Sequence, residues 1–334
     1  MKTKIFLGRI FLSLFFTTAV GCSDVQFAPL PGAPIVYNSG AELTDEFLQG
    51  YLGKKLDILF IVDNSGSMAE EQMKLGVRIQ SFLSTLYDID WQIGVTTTDV
   101  SDGPYGIKGS LLNIAGQQSY ILNAKTPDYQ NAFQATVVRS ETNNCGNSCP
   151  SGDEQALMAA MMAIEKRNTD NKGFFRNGAD LGILVLSDED EKSEGTAADA
   201  ARPADVLKLI NSVWQDSKSL FTYGMIIRPD DKACMDANNG QGHYGTFVAE
   251  LSRLTHGLVG SICDNDYAPT LGLLGDNARK LTEYVELRTY PDPSTILIEY
   301  SVPHVSTYRL EGRRIYFDMP PEKGTKITVS YKVM

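Results

Sequence analysis

An apolar run, Leu56-Asp57-Ile58-Leu59-Phe60-Ile61-Val62, ends abruptly in Asp63-Asn64-Ser65-Gly66-Ser67. A short run of this kind reads as a buried strand, and the polar residues after it as the loop it opens into. Strand ends at the carboxyl edge of an α/β sheet are where such folds place their ligand sites. Asp63, Ser65 and Ser67 offer only oxygen. Hard donors at alternate positions suit Mg2+ or Mn2+ better than zinc.

The rest of the chain supplies the partners of that strand. Leu75, Ile79, Phe82, Leu83 and Leu86 fall on one helical face. Trp91 to Val100 reads as a second strand, with an edge strand or hairpin near Ser110–Ile114 and Ser119–Leu122. Glu154 to Ile164 predicts a helix whose methionines are core filler. Leu181 to Leu186 is an almost unbroken apolar run, as a central parallel strand requires. Pro203–Trp214 predicts a helix, Leu220–Ile227 a strand, Tyr244–Leu254 a helix stopped by Gly257, Leu258–Cys263 a strand and Thr270–Leu287 a last helix. This alternation over residues 53–287 implies an α/β fold, a doubly wound, mostly parallel sheet with helices on both faces. Residues 288–334 differ. They hold four strand-like segments with turns at Glu311-Gly312 and Lys323-Gly324, and predict a small β-module packed on the larger domain.

The N-terminus reads as an export signal over residues 1–21. Lys2, Lys4 and Arg9 precede an apolar stretch, Ile10 to Val20, too short to span a bilayer comfortably. Ala19-Val20-Gly21-Cys22 resembles a bacterial lipobox, which implies lipidation of Cys22. Ser23 after it implies an outer-membrane address, on the cell surface or facing the periplasm. Residues 22–52, with Pro29, Pro31 and Pro34, read as a flexible tether. Without Cys22, four of the five cysteines remain. An even remainder in an exported chain reads as disulfides, and proximity favours Cys145–Cys149 and Cys234–Cys263 over the other pairings or a zinc site. A net charge of −11 argues against nucleic-acid binding.

Taken together, Asp63, Ser65, Ser67 and the strand-ending Asp188 resemble the metal-ion-dependent adhesion site of the von Willebrand factor type A domain. The family also uses a threonine shortly before an Ala-Leu pair that opens a helix. Ala156-Leu157 fits the pair, which puts Ser151 at the threonine position, with Glu154 as the other candidate ligand. The glycine that commonly follows the last aspartate is Glu189 here. The resemblance implies a bound Mg2+ (or Mn2+) whose open position takes an acidic group from a partner. It implies a surface-tethered adhesion protein that engages a protein or glycan ligand, with the membrane reached through the lipid anchor. An envelope-assembly scaffold, with or without metal, is the alternative. An enzyme is not expected, because no nucleophile and base pair stands out and His243, His256 and His304 are scattered. The run Asp188-Glu189-Asp190-Glu191 reads beyond Asp188 as a solvated charged loop.

Overall fold

The computed structural model describes residues 38–49, 54–142, 149–193, 195–238, 242–322 and 324–334. Its first element is a strand, β1 (Glu42–Leu48), where the sequence reading placed tether. Leu43, Asp45 and Phe47 alternate with Glu42, Thr44 and Glu46. That period of two is a strand's, and the nearby prolines and glycines obscure it. Residues 22–37, and Cys22 with the signal segment, lie outside the described residues.

The α/β part follows. β2 (Lys55–Val62) leads into α1 (Ala69–Leu83), and β3 (Asp90–Thr97) into the two-residue β4 (Leu122–Asn123). Only β4 represents the expected edge hairpin. Ser110–Ile114 stays out of the sheet, with the Leu112 N–H donating to the Val95 carbonyl at 2.8 Å. Next come α2 (Tyr129–Val137), which the sequence reading missed, α3 (Ala156–Glu165) and β5 (Ala179–Ser187). α4 (Pro203–Trp214), β6 (Leu220–Ile226), α5 (Lys232–Ala237), α6 (Thr246–Leu254), β7 (Val259–Ser261) and α7 (Ala268–Thr282) complete it. The turn after α6 needs Gly257, since a Cβ there would lie 1.8 Å from the Thr222 carbonyl oxygen.

The six strands run in the order β4-β3-β2-β5-β6-β7. All are parallel except β4 against β3. The central strands bury both faces. Leu56, Ile58, Phe60 and Val62 pack with Leu75, Phe82, Phe133 and Leu271, from α1, α2 and α7. Leu59 and Ile61 pack with Leu157, Val206 and Leu251, from α3, α4 and α6. Helices therefore cover both faces, as expected. Full burial of each such side chain contributes about 1.5–3 kcal/mol. The chain passes from β2 to β3 on one side and returns to β5 on the other. The switch point of the sheet thus lies between the carboxyl ends of β2 and β5.

The predicted last helix is shorter than expected. It stops at Thr282, and Tyr284–Glu286 forms β8. Val285 points into the neighbouring core while Tyr284 and Glu286 flank it, a strand pattern that the helical reading absorbed. β9 (Leu297–Tyr300), β10 (Tyr308–Glu311), β11 (Arg314–Phe317) and β12 (Lys326–Lys332) follow. They build two antiparallel sheets, β1-β12-β9 and β10-β11-β8. Val285, Ile315, Ile327, Val329 and Tyr331 form the core between them. The β-module therefore takes strands from both sides of the α/β domain, which sits within it as an insertion between β1 and β8. The module docks at the amino ends of the parallel strands, where Arg314 meets Asp180 at 3.2 Å. Among the described residues no helix is long and apolar enough to cross a membrane.

Candidate functional site

At the carboxyl end of β2 the chain cannot pair further, and Asp63 turns inward. Its N–H still donates to the Leu186 carbonyl at 2.9 Å, which locks the loop to the end of β5. Its two carboxylate oxygens are held separately. Oδ1 accepts the Ser65 N–H at 2.8 Å and Oδ2 accepts the Ser187 hydroxyl at 2.6 Å. Gln72 of α1 clamps the same loop from behind. Its Nε2 donates to the Asp63 carbonyl at 2.7 Å and to Thr142 Oγ1 at 3.1 Å. Ser65 and Ser67 lie with their hydroxyls 3.2 Å apart. Ser67 also hydrogen-bonds to the Asp188 side chain. The two strand-end aspartates and both serines thus lie together at the carboxyl ends of β2 and β5.

These acids sit in an environment that disfavours their charge. Asp63 is fully buried, and burial, then the neighbouring Asp188, raises its pKa to about 7. Burial raises Asp188 as well, against the Ser67 hydrogen bond, and Glu189 adds repulsion. Glu154 is 2% exposed. Burial, then Asp63 and Glu189, pushes its pKa up to about 11. Both Glu154 carboxylate oxygens, Asp188 Oδ1 and Glu189 Oε2 are buried with no hydrogen-bond donor. Buried acceptors without donors carry a desolvation cost that a cation or protons would offset.

The two candidates for the second loop differ in their bonds. Ser151 gives its N–H to Asp99 Oδ2 at 3.0 Å, and its hydroxyl accepts the Asp153 N–H at 3.1 Å. Asp99, buried after β3, holds the Ser101 N–H with its other oxygen at 2.9 Å. Glu154 has no donor to its carboxylate, lies against the Glu189 side chain and faces the charge of Asp63. Among the described residues, no group of three or more His, Cys, Asp or Glu side chains is arranged to hold a metal ion. The expected donor set is of another kind, two aspartates with serine hydroxyls.

The run after Asp188 corrects the sequence reading. It is not a solvated loop. Asp190 is 2% exposed and Glu191 is 0% exposed. Asp190 accepts the Phe247 N–H near the start of α6 at 2.9 Å. Glu191 accepts the Leu157 and Met158 N–H groups at the start of α3, at 2.7 and 3.0 Å. Carboxylates are favoured at helix N-termini, where unpaired N–H groups and the helix dipole converge. A charge run read without its neighbours could not reveal two helix starts waiting for acids. Gln72, Ser187 and Asp99 were missed for the same reason, since their roles depend on contacts distant in sequence.

The Cys234–Cys263 disulfide forms as expected and ties α5 to the segment after β7. Cys149 is disulfide-bonded, but Cys145, its expected partner, lies outside the described residues.

No protein-family model matches this chain, and no curated protein matches it. Solved structures do. The pilus adhesin SpaC of Lactobacillus rhamnosus GG, in its open conformation, aligns at 11% identity with a TM-score of 0.37. That match covers 90% of this chain and 42% of SpaC, so the chain spans less than half of that protein. Proximal thread matrix protein 1 from the mussel byssus aligns at 14% identity and TM-score 0.39, over 73% of this chain and 51% of that one. Manganese-loaded TRAP from Plasmodium vivax aligns at 14% identity and TM-score 0.29, over 64% and 66% of the two chains.

Proposed function

We propose that this protein is a lipid-anchored binding protein that grips its partner through a divalent cation between the ends of β2 and β5. Ser65 and Ser67 would offer hydroxyls to Mg2+ or Mn2+. Asp63 and Asp188 would supply carboxylates, directly or through water. Ser151 or Glu154 would complete the set; Ser151 already bonds within its own turn, and Glu154 would act through a water, since the described residues hold no group of three such acids arranged around one ion. One observation supports the reading above the others. Asp188 Oδ1 and both Glu154 oxygens are buried acceptors without a donor, next to the buried Asp63. Mg2+ takes about six oxygens and keeps several waters. Its bound charge would offset the burial, and then the mutual repulsion, that raise these carboxyl pKa values. An open position would then take a carboxylate from a protein or glycan partner.

The α/β domain presents this site at one end of its sheet, while the β-module docks at the other. The tether and lipid at the N-terminus would connect through β1, a strand of that module.

Calorimetric titration of Mg2+ and Mn2+ tests the reading, on the chain beginning at Ser23. That chain keeps the whole compact unit Ser39–Met334. Saturable binding should disappear in Asp63→Ala. Ligand at a hundred times its Kd should also raise unfolding free energy by about 2.7 kcal/mol. A folded wild-type protein that binds neither ion would refute the metal site.

A further inference from the structure

Asp188 and Glu154 belong to different elements. Asp188 follows β5, and Glu154 precedes α3. A site that uses both needs something to fix the start of α3 against the end of β5. Glu191 makes that connection. Its carboxylate accepts two N–H groups of α3, from Leu157 at 2.7 Å and Met158 at 3.0 Å. The next residue, Lys192, donates its N–H to the Glu154 carbonyl at 2.7 Å. Three hydrogen bonds from two consecutive residues therefore hold the first turn of α3 and the backbone of Glu154 itself.

α3 depends on this contact. Its own N-cap residue, Gln155, makes no side-chain capping bond. The acid that answers its N-terminal N–H groups comes instead from the loop that carries Asp188. Reaching it bends that loop sharply. Lys192 and Ser193 both adopt the left-handed region, at φ 51° and 66°. Consecutive non-glycine residues there are sparsely populated and persist only where surrounding contacts hold them. Asp190 turns to α6, so the loop divides between two helices.

We infer that Glu191 is a positioning residue for the metal site, clamping α3 to the Asp188 loop and so holding the Glu154 carboxylate toward Asp63. Glu191 does not touch the ion, since both its oxygens are engaged by N–H groups. The inference rests on the metal-binding reading above. It adds that affinity depends on a residue outside the ligand set. Partners of metal ligands commonly act in this way by fixing ligand orientation.

The test is Mn2+ titration of the Ser23-start chain with Glu191→Gln, Glu191→Ala and Asp205→Ala. Each is measured well below its unfolding temperature, with circular dichroism to show that it is folded. Asp205 is the matched control. Its carboxylate accepts the Arg202 N–H at 3.0 Å and caps α4, so its loss also weakens a helix start. Glu191→Ala should bind Mn2+ about 10- to 100-fold more weakly than wild type. Glu191→Gln, which keeps one acceptor oxygen, should fall between them, and Asp205→Ala should match wild type. Wild-type affinity in Glu191→Ala would overturn the inference while leaving the metal site standing. An equal loss in Asp205→Ala would overturn it too, by tying affinity to general stability. A wild-type protein that binds no Mn2+ would end both readings and leave Glu191 as a helix cap.

Discussion

The two ends of β2 and β5 bury carboxylates by opposite means. At the amino end, Asp57 accepts the Arg176 N–H and Nε–H, each at 2.7 Å, and has Lys218 at 3.7 Å. Asp180 accepts the Ser219 N–H at 2.9 Å and faces Arg314 at 3.2 Å. At the carboxyl end, Asp63 meets the Ser65 N–H and the Ser187 and Ser65 hydroxyls but no cation, and Glu154 meets another acid, Glu189, and no donor. β2 and β5 thus each begin among carboxylates paired with cations and end among carboxylates that have none. The first layer joins the α/β domain to the β-module. The second is costly unless protons or a cation offset it, which supports the metal site proposed above.

Single substitutions should separate the two layers by sign. The largest effect belongs to Asp57→Ala, which leaves the buried Lys218 without its carboxylate, while Arg176 keeps Asp90 at 2.9 Å. Burial alone already raises the pKa of Asp57, so the pair itself is a modest gain. The loss comes from leaving one buried cation, Lys218, without its carboxylate, about 3–5 kcal/mol in urea or thermal unfolding. Asp188→Asn at the other end should do the reverse. In EDTA it removes one member of a repelling group and should stabilise by about 1–2 kcal/mol. The same variant should lose the stabilisation by Mg2+ that the proposed metal site implies. If Asp188→Asn destabilises the metal-free protein as Asp57→Ala does, the two ends are alike and the comparison fails.

How much of this was legible in the sequence follows from the range of the interactions involved. The parallel core was legible because burial on both faces of a central strand leaves a continuous apolar run, as in Leu181–Leu186. Asp63 and Asp188 were legible because each ends such a run. Pro203 marked the start of α4 correctly, since its ring fits only a first helical turn. β1 was not read, although Leu43, Asp45 and Phe47 alternate correctly. Its partner β12 lies at the far end of the chain, so nothing local completes it. The buried Asp45 disguised the strand further. Its charge is matched by Arg288, and it also accepts the Tyr331 hydroxyl at 2.9 Å. α2 carries Phe133 into the core in only nine residues, too short a helix to show its period strongly. The acid run misled for a plainer reason. Composition marks charge, and only the fold decides whether a helix start meets it.

The amino-end layer contains one group that breaks its own pattern, and this yields the finest test. Lys54 donates to the Tyr284 carbonyl at 2.6 Å, rather than to a carboxylate, and lies 3.9 Å from the centre of the Tyr284 ring. Burial, against the pull of Asp180, lowers its pKa from 10.5 to about 8. A cation whose pKa falls on folding binds fewer protons in the native state than in the unfolded one between those two values. Stability then rises with pH through that window, and the full penalty of burying the charge is felt below about pH 8. Lys54→Met should remove the penalty. At pH 7 it should raise the unfolding free energy on the order of 1 kcal/mol, after the lost hydrogen bond and ring contact. The gain should shrink as pH climbs from about 8 toward 10.5, because the wild-type amine then becomes neutral. Urea midpoints of both proteins across that range decide it. A gain that persists undiminished at high pH would mean that packing rather than charge sets the effect. Destabilisation at every pH would mean that Lys54 is as well compensated as Asp57, and the joint would then contain no weak point.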